Sequence, residues 1–122
     1  MTTTIPQEPS CQRGDVALVL FPDSNLRTAK LRPVLVVQAD DLGTGLPQLI
    51  VAMITANAFR AGHASRVVVL RATAEGRQSG LLTDSVVMTD NLATVSDTEI
   101  DRVIGSLPMG EVEAALRHTL NL

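Results

Sequence analysis

Residues 31–38 place an arginine and a proline directly before an uninterrupted apolar run. Proline lacks a backbone N–H and restricts the residue before it to extended backbone, so Pro33 is expected to open a strand rather than lie inside one. Residues 34–37 are all apolar, which is typical of a strand buried on both faces. The pattern predicts that Arg32 is held at a strand end, where its permanent charge can receive an anion. The alternative is that Arg32 covers the rim of the fold or pairs with a carboxylate.

Short apolar segments recur along the chain, and no long helical pattern lies between them. Strands are predicted at residues 16–21, 48–54, 65–70 and 84–89, the last continuing to 95, with connections at 22–31, 39–45, 58–64 and 71–80. Ser96 and Glu99 have the spacing of a capping box, which predicts a short helix from Ser96. Residues 102–107 fit either a continuation of that helix or a last strand, and Val103-Ile104 before Gly105 favours the strand.

Residues 110–120 repeat apolar side chains with the spacing of an amphipathic helix. The whole pattern predicts a mainly β fold with a C-terminal helix, built as a small, strongly bent antiparallel barrel. A chain of 122 residues that is 45% hydrophobic suits one domain. We expect residues 1–12 to form a flexible N-terminal arm, with Cys11 an incidental part of it, and residues 13–122 to form the domain.

The apolar runs are much shorter than the roughly 20 residues that span a bilayer, and the N-terminus has no signal pattern, so a cytoplasmic protein without a membrane partner is predicted. The net charge of −3 disfavours broad, nonspecific binding of nucleic acid. Phe21 and Phe59 are the only aromatic residues, which disfavours a passive RNA-binding module built on stacking. Any nucleic-acid site must therefore be local. Arg27 and Lys30, beside Arg32, fit either a phosphate-binding rim or a solvated loop.

Residues that could bind a metal or move a proton are few. Asp40 and Asp41 have no further ligand at suitable spacing, so a capping role is preferred and neither metal nor cofactor is predicted. Thr55 places a hydroxyl at a strand end, where it can also be a simple turn former. His63, in the following loop, is a candidate general acid or base. His118 lies near the end of the last helix, where a cation suits the helix dipole.

Five motifs, taken together, resemble the MazF/PemK family of bacterial toxins. They are Arg13-Gly14-Asp15-Val16, Arg32-Pro33-Val34-Leu35-Val36, Val51-Ala52-Met53-Ile54-Thr55, Gly80-Leu81-Leu82-Thr83-Asp84-Ser85-Val86 and Ile104-Gly105-Ser106-Leu107. The resemblance extends from Arg13 to Leu120. It implies a small SH3-like barrel of the CcdB/MazF type, a homodimer, and a strand rather than a helix at residues 102–107.

The resemblance also implies an mRNA interferase: a metal-independent, sequence-preferring endoribonuclease that cuts single-stranded RNA to 2′,3′-cyclic phosphate and 5′-hydroxyl ends. A cognate antitoxin with a disordered tail would neutralise it. The catalytic positions of the family fall on Arg32 and Thr55. The predicted RNA-binding residues are Arg27, Lys30, Asn57, Arg60, Ser85 and Asn91, whereas Arg66 is interpreted as a surface charge. The alternatives are a catalytically silent homologue that acts as a protein-binding module, and a gyrase-poisoning relative of the same fold.

Overall fold

The computed structural model describes residues 11–22 and 25–122, and these contain a six-stranded antiparallel sheet in the order β4-β5-β3-β2-β1-β6. The strands are β1 (Asp15–Pro22), β2 (Ala29–Val36), β3 (Gln48–Thr55), β4 (Arg66–Val69), β5 (Ser85–Ser96) and β6 (Ile100–Ser106). The α-helices are α1 (Ala74–Ser79) and α2 (Gly110–Leu120), and short 3-10 helices span Ala58–Arg60 and Asp97–Glu99. The predicted mainly β fold with a C-terminal helix is confirmed.

The outer strands β4 and β6 do not pair with each other in the described residues, so the sheet is open, which is consistent with the predicted barrel-like fold. Register shifts interrupt the β3–β5 and β1–β6 ladders, and such irregularities bend and twist a sheet. None of the helices in the described part of the chain has the length and apolar character needed to span a bilayer.

Pro33 lies inside β2, which begins at Ala29, so the prediction that Pro33 opens the strand is wrong. The pairing explains why proline is tolerated there. Pro33 pairs with Leu18 on one side, whereas pairing with β3 begins only at Val34, which lies opposite Met53. A missing N–H does little harm where a strand has no second neighbour. The predicted connection at residues 22–31 is too long, because β2 already begins at Ala29. The predicted burial of Val34 is confirmed, since this side chain is fully buried.

The core consists of two clusters because successive residues of a strand point to opposite faces. Val16 and Leu35 belong to the first cluster, which α2 covers with Val112. Ala17 and Val19 belong to the second, whose other buried members are Cys11, Val34, Val36, Leu49, Val51 and Val95. The alternation along β1 therefore gives the sheet apolar packing on both of its faces.

Cys11 is only 6% exposed, so its assignment to a flexible arm is wrong. A free thiol behaves as a small hydrophobe, and this one packs in the second cluster. The next residues are also anchored: Gln12 N donates to Asp15 Oδ2 at 2.8 Å, and the Arg13 guanidinium donates to Val37 O and Glu113 Oε1, both at 2.9 Å. The rest of the predicted arm, residues 1–10, lies outside the described residues.

Helix α1 occupies part of residues 71–80, which were predicted as a connection without a helix. Thr73 caps it by accepting a hydrogen bond from Gly76 N at 3.0 Å. Gly80 ends it in the left-handed conformation, at φ 73°. A Cβ at Gly105 of β6 would lie 2.3 Å from Gln78 O, so α1 packs directly on the backbone of β6. This contact fixes where residues 80–83 leave the helix.

The last third of the chain follows the sequence pattern closely. The capping box at Ser96 is confirmed, since Ser96 N donates to the Glu99 carboxylate at 2.8 Å, although the helix it caps is one 3-10 turn. Residues 102–107 were predicted as either a continued helix or a last strand. The strand is confirmed, since Ile100–Ser106 form β6. The amphipathic helix is confirmed as α2, with Val112 and Ala115 buried.

Candidate active site

A cleft of about 450 Å³ is lined by residues of five strands and of the segment that follows α1. Arg32 and Thr55, the two predicted catalytic residues, both line it. One wall is formed by residues 80–83, and Arg102 and Ile104 of β6 contribute to another part of the lining. The exposed lining is mostly apolar, so the polar groups that reach the cleft are few and specific.

Arg32 is held by the β1–β2 ladder, in which it lies opposite Val19. The β2 segment before Val34 has no partner in β3, and the cleft opens beside this segment. Arg32 is exposed, so an anion can approach its guanidinium from solvent. A guanidinium presents a planar set of donors that matches two oxygens of a phosphate.

Thr55 is the last residue of β3 and lies opposite Val86 of β5. Its Oγ1 accepts a hydrogen bond from Asn57 N at 3.1 Å, so Thr55 is a turn former as well as a cleft residue. Asn57 Oδ1 in turn accepts from Phe59 N at 3.1 Å and caps the 3-10 helix Ala58–Arg60. Accepting a bond uses a lone pair of the hydroxyl oxygen and leaves the O–H able to donate into the cleft.

Ser85 is the member of the predicted RNA-binding set that lines the cleft, but it is 5% exposed and its Oγ donates to Thr83 O at 3.0 Å. Its hydroxyl therefore supports the wall. The other members of the set are exposed and lie outside the cleft lining: Arg27, Lys30, Asn57, Arg60 and Asn91. Arg27 follows a turn in which Asn25 Oδ1 accepts from Arg27 N at 2.9 Å.

Arg66 connects the loop after β3 to β5. Its guanidinium donates to both carboxylate oxygens of Asp90, at 3.3 and 2.8 Å, and to Arg60 O at 3.0 Å. The hydrogen bond with Arg66 lowers the pKa of Asp90, and the same bond raises the pKa of Arg66. The guanidinium of Arg66 is thus hydrogen-bonded to Asp90 and to the backbone of Arg60. This agrees with the interpretation of Arg66 as a surface charge outside the predicted RNA-binding residues.

His63 does not line the cleft. Its Nδ1 lies 2.7 Å from Ser65 Oγ, and its ring meets that of His118 edge to face, with centroids 5.9 Å apart. The contact joins the loop after β3 to the last turn of α2. His63 therefore packs against α2 and lies outside the cleft that Arg32 and Thr55 line. No group of three or more His, Cys, Asp or Glu side chains in residues 11–22 and 25–122 is arranged to hold a metal ion.

Arg102 is the cleft residue that sequence reasoning missed. Arg102 and Ile104 both line the cleft, and the ladder is irregular between them because Val103 pairs with Ala17 and Gly105 with Val16, which leaves Ile104 as an extra residue. The strand at residues 102–107 was predicted, but the direction of Arg102 depends on the register shifts between β6 and β1, which the sequence does not show.

The family model described as PemK-like, MazF-like toxin of type II toxin–antitoxin system matches residues 12–120. This chain belongs to that family. Endoribonuclease MazF6 of Mycobacterium tuberculosis is 35% identical to this MazF-like chain over 107 residues, which cover 84% of this chain and 90% of the relative. That similarity supports the predicted endoribonuclease activity.

Solved structures agree with the MazF-like fold. The Mycobacterium tuberculosis toxin MazF-mt6 superposes with a TM-score of 0.67 at 25% identity, covering 88% of this chain and 97% of the toxin. An endoribonuclease in complex with its cognate antitoxin, from a mycobacterial species, superposes with a TM-score of 0.70 at 20% identity, covering 93% and 97% of the two chains. The second likeness supports the fold alone. The predicted family and fold class are therefore confirmed.

Proposed function

We propose that this chain is a toxin of a toxin–antitoxin pair and acts as an endoribonuclease on single-stranded mRNA in the cytoplasm. The observation that carries the proposal is that Arg32 and Thr55, far apart in sequence, line one cleft. The activity of the curated relative supports the reaction class. We further propose that cleavage needs no metal ion, prefers particular sequences, and is stopped when a cognate antitoxin binds.

The proposed reaction uses the 2′-hydroxyl of the RNA as nucleophile. Its oxygen bonds to phosphorus while the bond from phosphorus to the 5′-oxygen breaks, which leaves a 2′,3′-cyclic phosphate and a 5′-hydroxyl. Negative charge builds on the non-bridging phosphate oxygens during the reaction. Arg32 stabilises that charge with paired hydrogen bonds, and Thr55 donates its O–H to the same phosphate.

Two protons must move: one leaves the 2′-hydroxyl and one joins the departing 5′-oxygen. Arg32 is a poor base because a guanidinium stays protonated at neutral pH. The Thr55 hydroxyl is suited to donate because its oxygen already accepts from Asn57 N. We assign charge stabilisation to Arg32 and a hydrogen bond to the phosphate to Thr55. Solvent water accepts the proton of the 2′-hydroxyl and supplies the proton that the departing 5′-oxygen takes up.

Binding along the RNA would use the exposed cations outside the cleft. Arg27, Lys30 and Arg60 are exposed, as are the predicted polar contacts Asn57 and Asn91. In a homodimer, two such surfaces would form a longer groove that follows the phosphate backbone. The same combination of apolar and cationic surface suits the disordered, acidic tail of an antitoxin.

The test incubates the purified chain with a long transcript in EDTA and maps the cut ends. The wild type should make discrete cuts with 5′-hydroxyl ends. Arg32→Ala and Thr55→Val should each slow cutting about 10²–10³-fold, the usual loss for one oxyanion donor. Arg32→Lys should recover only part of the activity because an ammonium lacks the planar fork. Arg117→Ala, which removes an exposed arginine of α2, is the matched control and should cut normally.

Other outcomes separate the alternative functions. Intact RNA together with growth arrest on expression would indicate gyrase poisoning. Intact RNA in healthy cells would indicate a silent protein-binding module. Cuts that persist in Arg32→Ala would reject the assigned site even if the chain is a ribonuclease.

A further inference from the structure

Arg102 reaches the cleft from the far side of β1. Leu18 of β1 pairs with Pro33 of β2 on one side and with Arg102 of β6 on the other, and all three residues line the cleft. Paired positions of neighbouring strands share a face, and strands lie about 4.8 Å apart, so the Cα atoms of Pro33 and Arg102 are about 10 Å apart. Arg32, the neighbour of Pro33 in β2, and Arg102 of β6 both line this mostly apolar cleft.

A bulge in β6 shapes this end of the cleft. Arg102 pairs with Leu18, but Val19 pairs with Ile100, so Asp101 is the extra residue between them. Successive residues of a regular strand point to opposite faces, whereas a bulge changes the direction of a side chain. Here the carboxylate of Asp101 accepts a hydrogen bond from the guanidinium of the adjacent Arg102.

The Asp101–Arg102 pair is open to solvent. The side chains are 42% and 62% exposed, respectively. Exposed ion pairs contribute little to stability, so a phosphate can replace Asp101 on the guanidinium at low cost. An ordinary surface ion pair would account for the contact with Asp101, but it would not account for the presence of Arg102 in the lining of the cleft that holds Arg32 and Thr55.

We propose that Arg102 binds a second phosphate of the RNA, next to the one held by Arg32, and that Asp101 occupies the guanidinium until RNA replaces it. The inference rests on the proposed function, because it assumes that RNA enters this cleft. Arg102 then sets the direction in which the strand leaves the scissile phosphate. It contributes to substrate affinity more than to the chemical step, since the phosphate assigned to it is not the scissile one.

Salt-dependent binding tests this role. The probe is a short, fluorescent 2′-fluoro RNA of mixed sequence, which lacks the nucleophilic 2′-hydroxyl and is not cut. Arg102→Ala should weaken binding about tenfold and reduce the slope of log affinity against log salt by about 0.7, the value for one lost phosphate contact on a single strand. Arg102→Lys should retain the slope. Arg117→Ala, with the same change of charge outside the cleft, should leave the slope close to that of the wild type.

Asp101→Asn provides the opposite perturbation. It removes the competing carboxylate while Arg102 remains, so binding should tighten about two- to fivefold. A folding defect would weaken binding in every variant and cannot produce this gain. In cleavage assays Arg102→Ala should raise KM with a smaller change in kcat.

The outcomes distinguish this inference from the proposed function. If the wild type cuts RNA and Arg32→Ala does not, but Arg102→Ala binds with the affinity and salt slope of Arg117→Ala, the role of Arg102 is refuted and the nuclease stands. If Asp101→Asn binds no more tightly than the wild type, the competition with Asp101 is refuted. If the wild type neither cuts transcripts nor binds the probe, both proposals fail.

Discussion

Gly105→Ala should destabilise the fold because α1 packs directly on β6 at this position. The added Cβ would lie 2.3 Å from Gln78 O and 2.4 Å from the carbonyl carbon of Ser79, both of which are backbone atoms of α1. A side chain could rotate away, but here the whole helix must move. Overpacking of this kind costs about 1–3 kcal/mol, and a backbone clash belongs at the upper end. The reduced entropy of the unfolded chain returns about 0.5–1 kcal/mol.

The net loss is therefore about 2 kcal/mol, which urea denaturation can measure. Small proteins lose about 1–3 kcal/mol of stability per molar urea, so the midpoint should fall by roughly 1 M at an unchanged slope. RNA cleavage should also fall under conditions where the variant is folded, because a displaced α1 moves residues 80–83, which line the cleft.

Gly110→Ala is the matched control for Gly105→Ala. Gly110 is the first residue of α2, and a Cβ there would meet no atom within 4 Å. Alanine should leave stability unchanged or raise it by up to about 1 kcal/mol. A Gly105→Ala midpoint equal to that of the wild type would refute the inference that α1 and β6 require this close approach.

Two further variants probe polar contacts near the loop after β3. The side chain of Thr89 is fully buried, and its Oγ1 donates to Ser65 O at 2.6 Å and lies 2.7 Å from Thr119 Oγ1. Thr89→Val keeps the shape of the side chain but removes these hydrogen bonds, so the free energy of unfolding measured in urea should fall by about 1–3 kcal/mol. An unchanged free energy of unfolding would contradict the inference that these hydrogen bonds stabilise the fold. Asp90→Asn should reduce stability at neutral pH and flatten its dependence on pH in acid. The hydrogen bond from Arg66 lowers the pKa of Asp90 below its ordinary value of 3.8, so the stabilisation is fully present above that value and is lost as pH falls through the lowered pKa. Urea midpoints measured across the acid range should show the difference, and identical curves for both proteins would count against it.

The sequence predicted those parts of the fold that depend on local pattern. Buried β-branched runs identified the strands, the Ser96–Glu99 spacing identified a capped turn, and helical spacing identified α2. The errors occurred where tertiary contacts decide. Pro33 lies within a strand because β3 does not reach it, and Cys11 is buried because a cluster on the sheet covers it.

Helix α1 was missed for a related reason. It has six residues and is held by the Thr73 cap and by packing on Gly105. Its sequence has no repeated apolar spacing from which a helix could be predicted. At the candidate site, Arg32 and Thr55 were predicted from motifs, and the structure brings both to one cleft. Arg102 could not be placed because its direction depends on the register of β6 and on the bulge at Asp101.

The open sheet has a consequence for how the chain behaves among its own copies. An exposed outer strand can pair with a strand of another molecule, and repeated pairing leads to aggregates. At one end β4 has only four residues, and α2 packs beside it. At the other end, β6 is interrupted by a bulge and carries adjacent opposite charges at Asp101 and Arg102. Short length, irregular backbone and charge all hinder such pairing, so this chain can keep an unclosed sheet without extending it into a fibre.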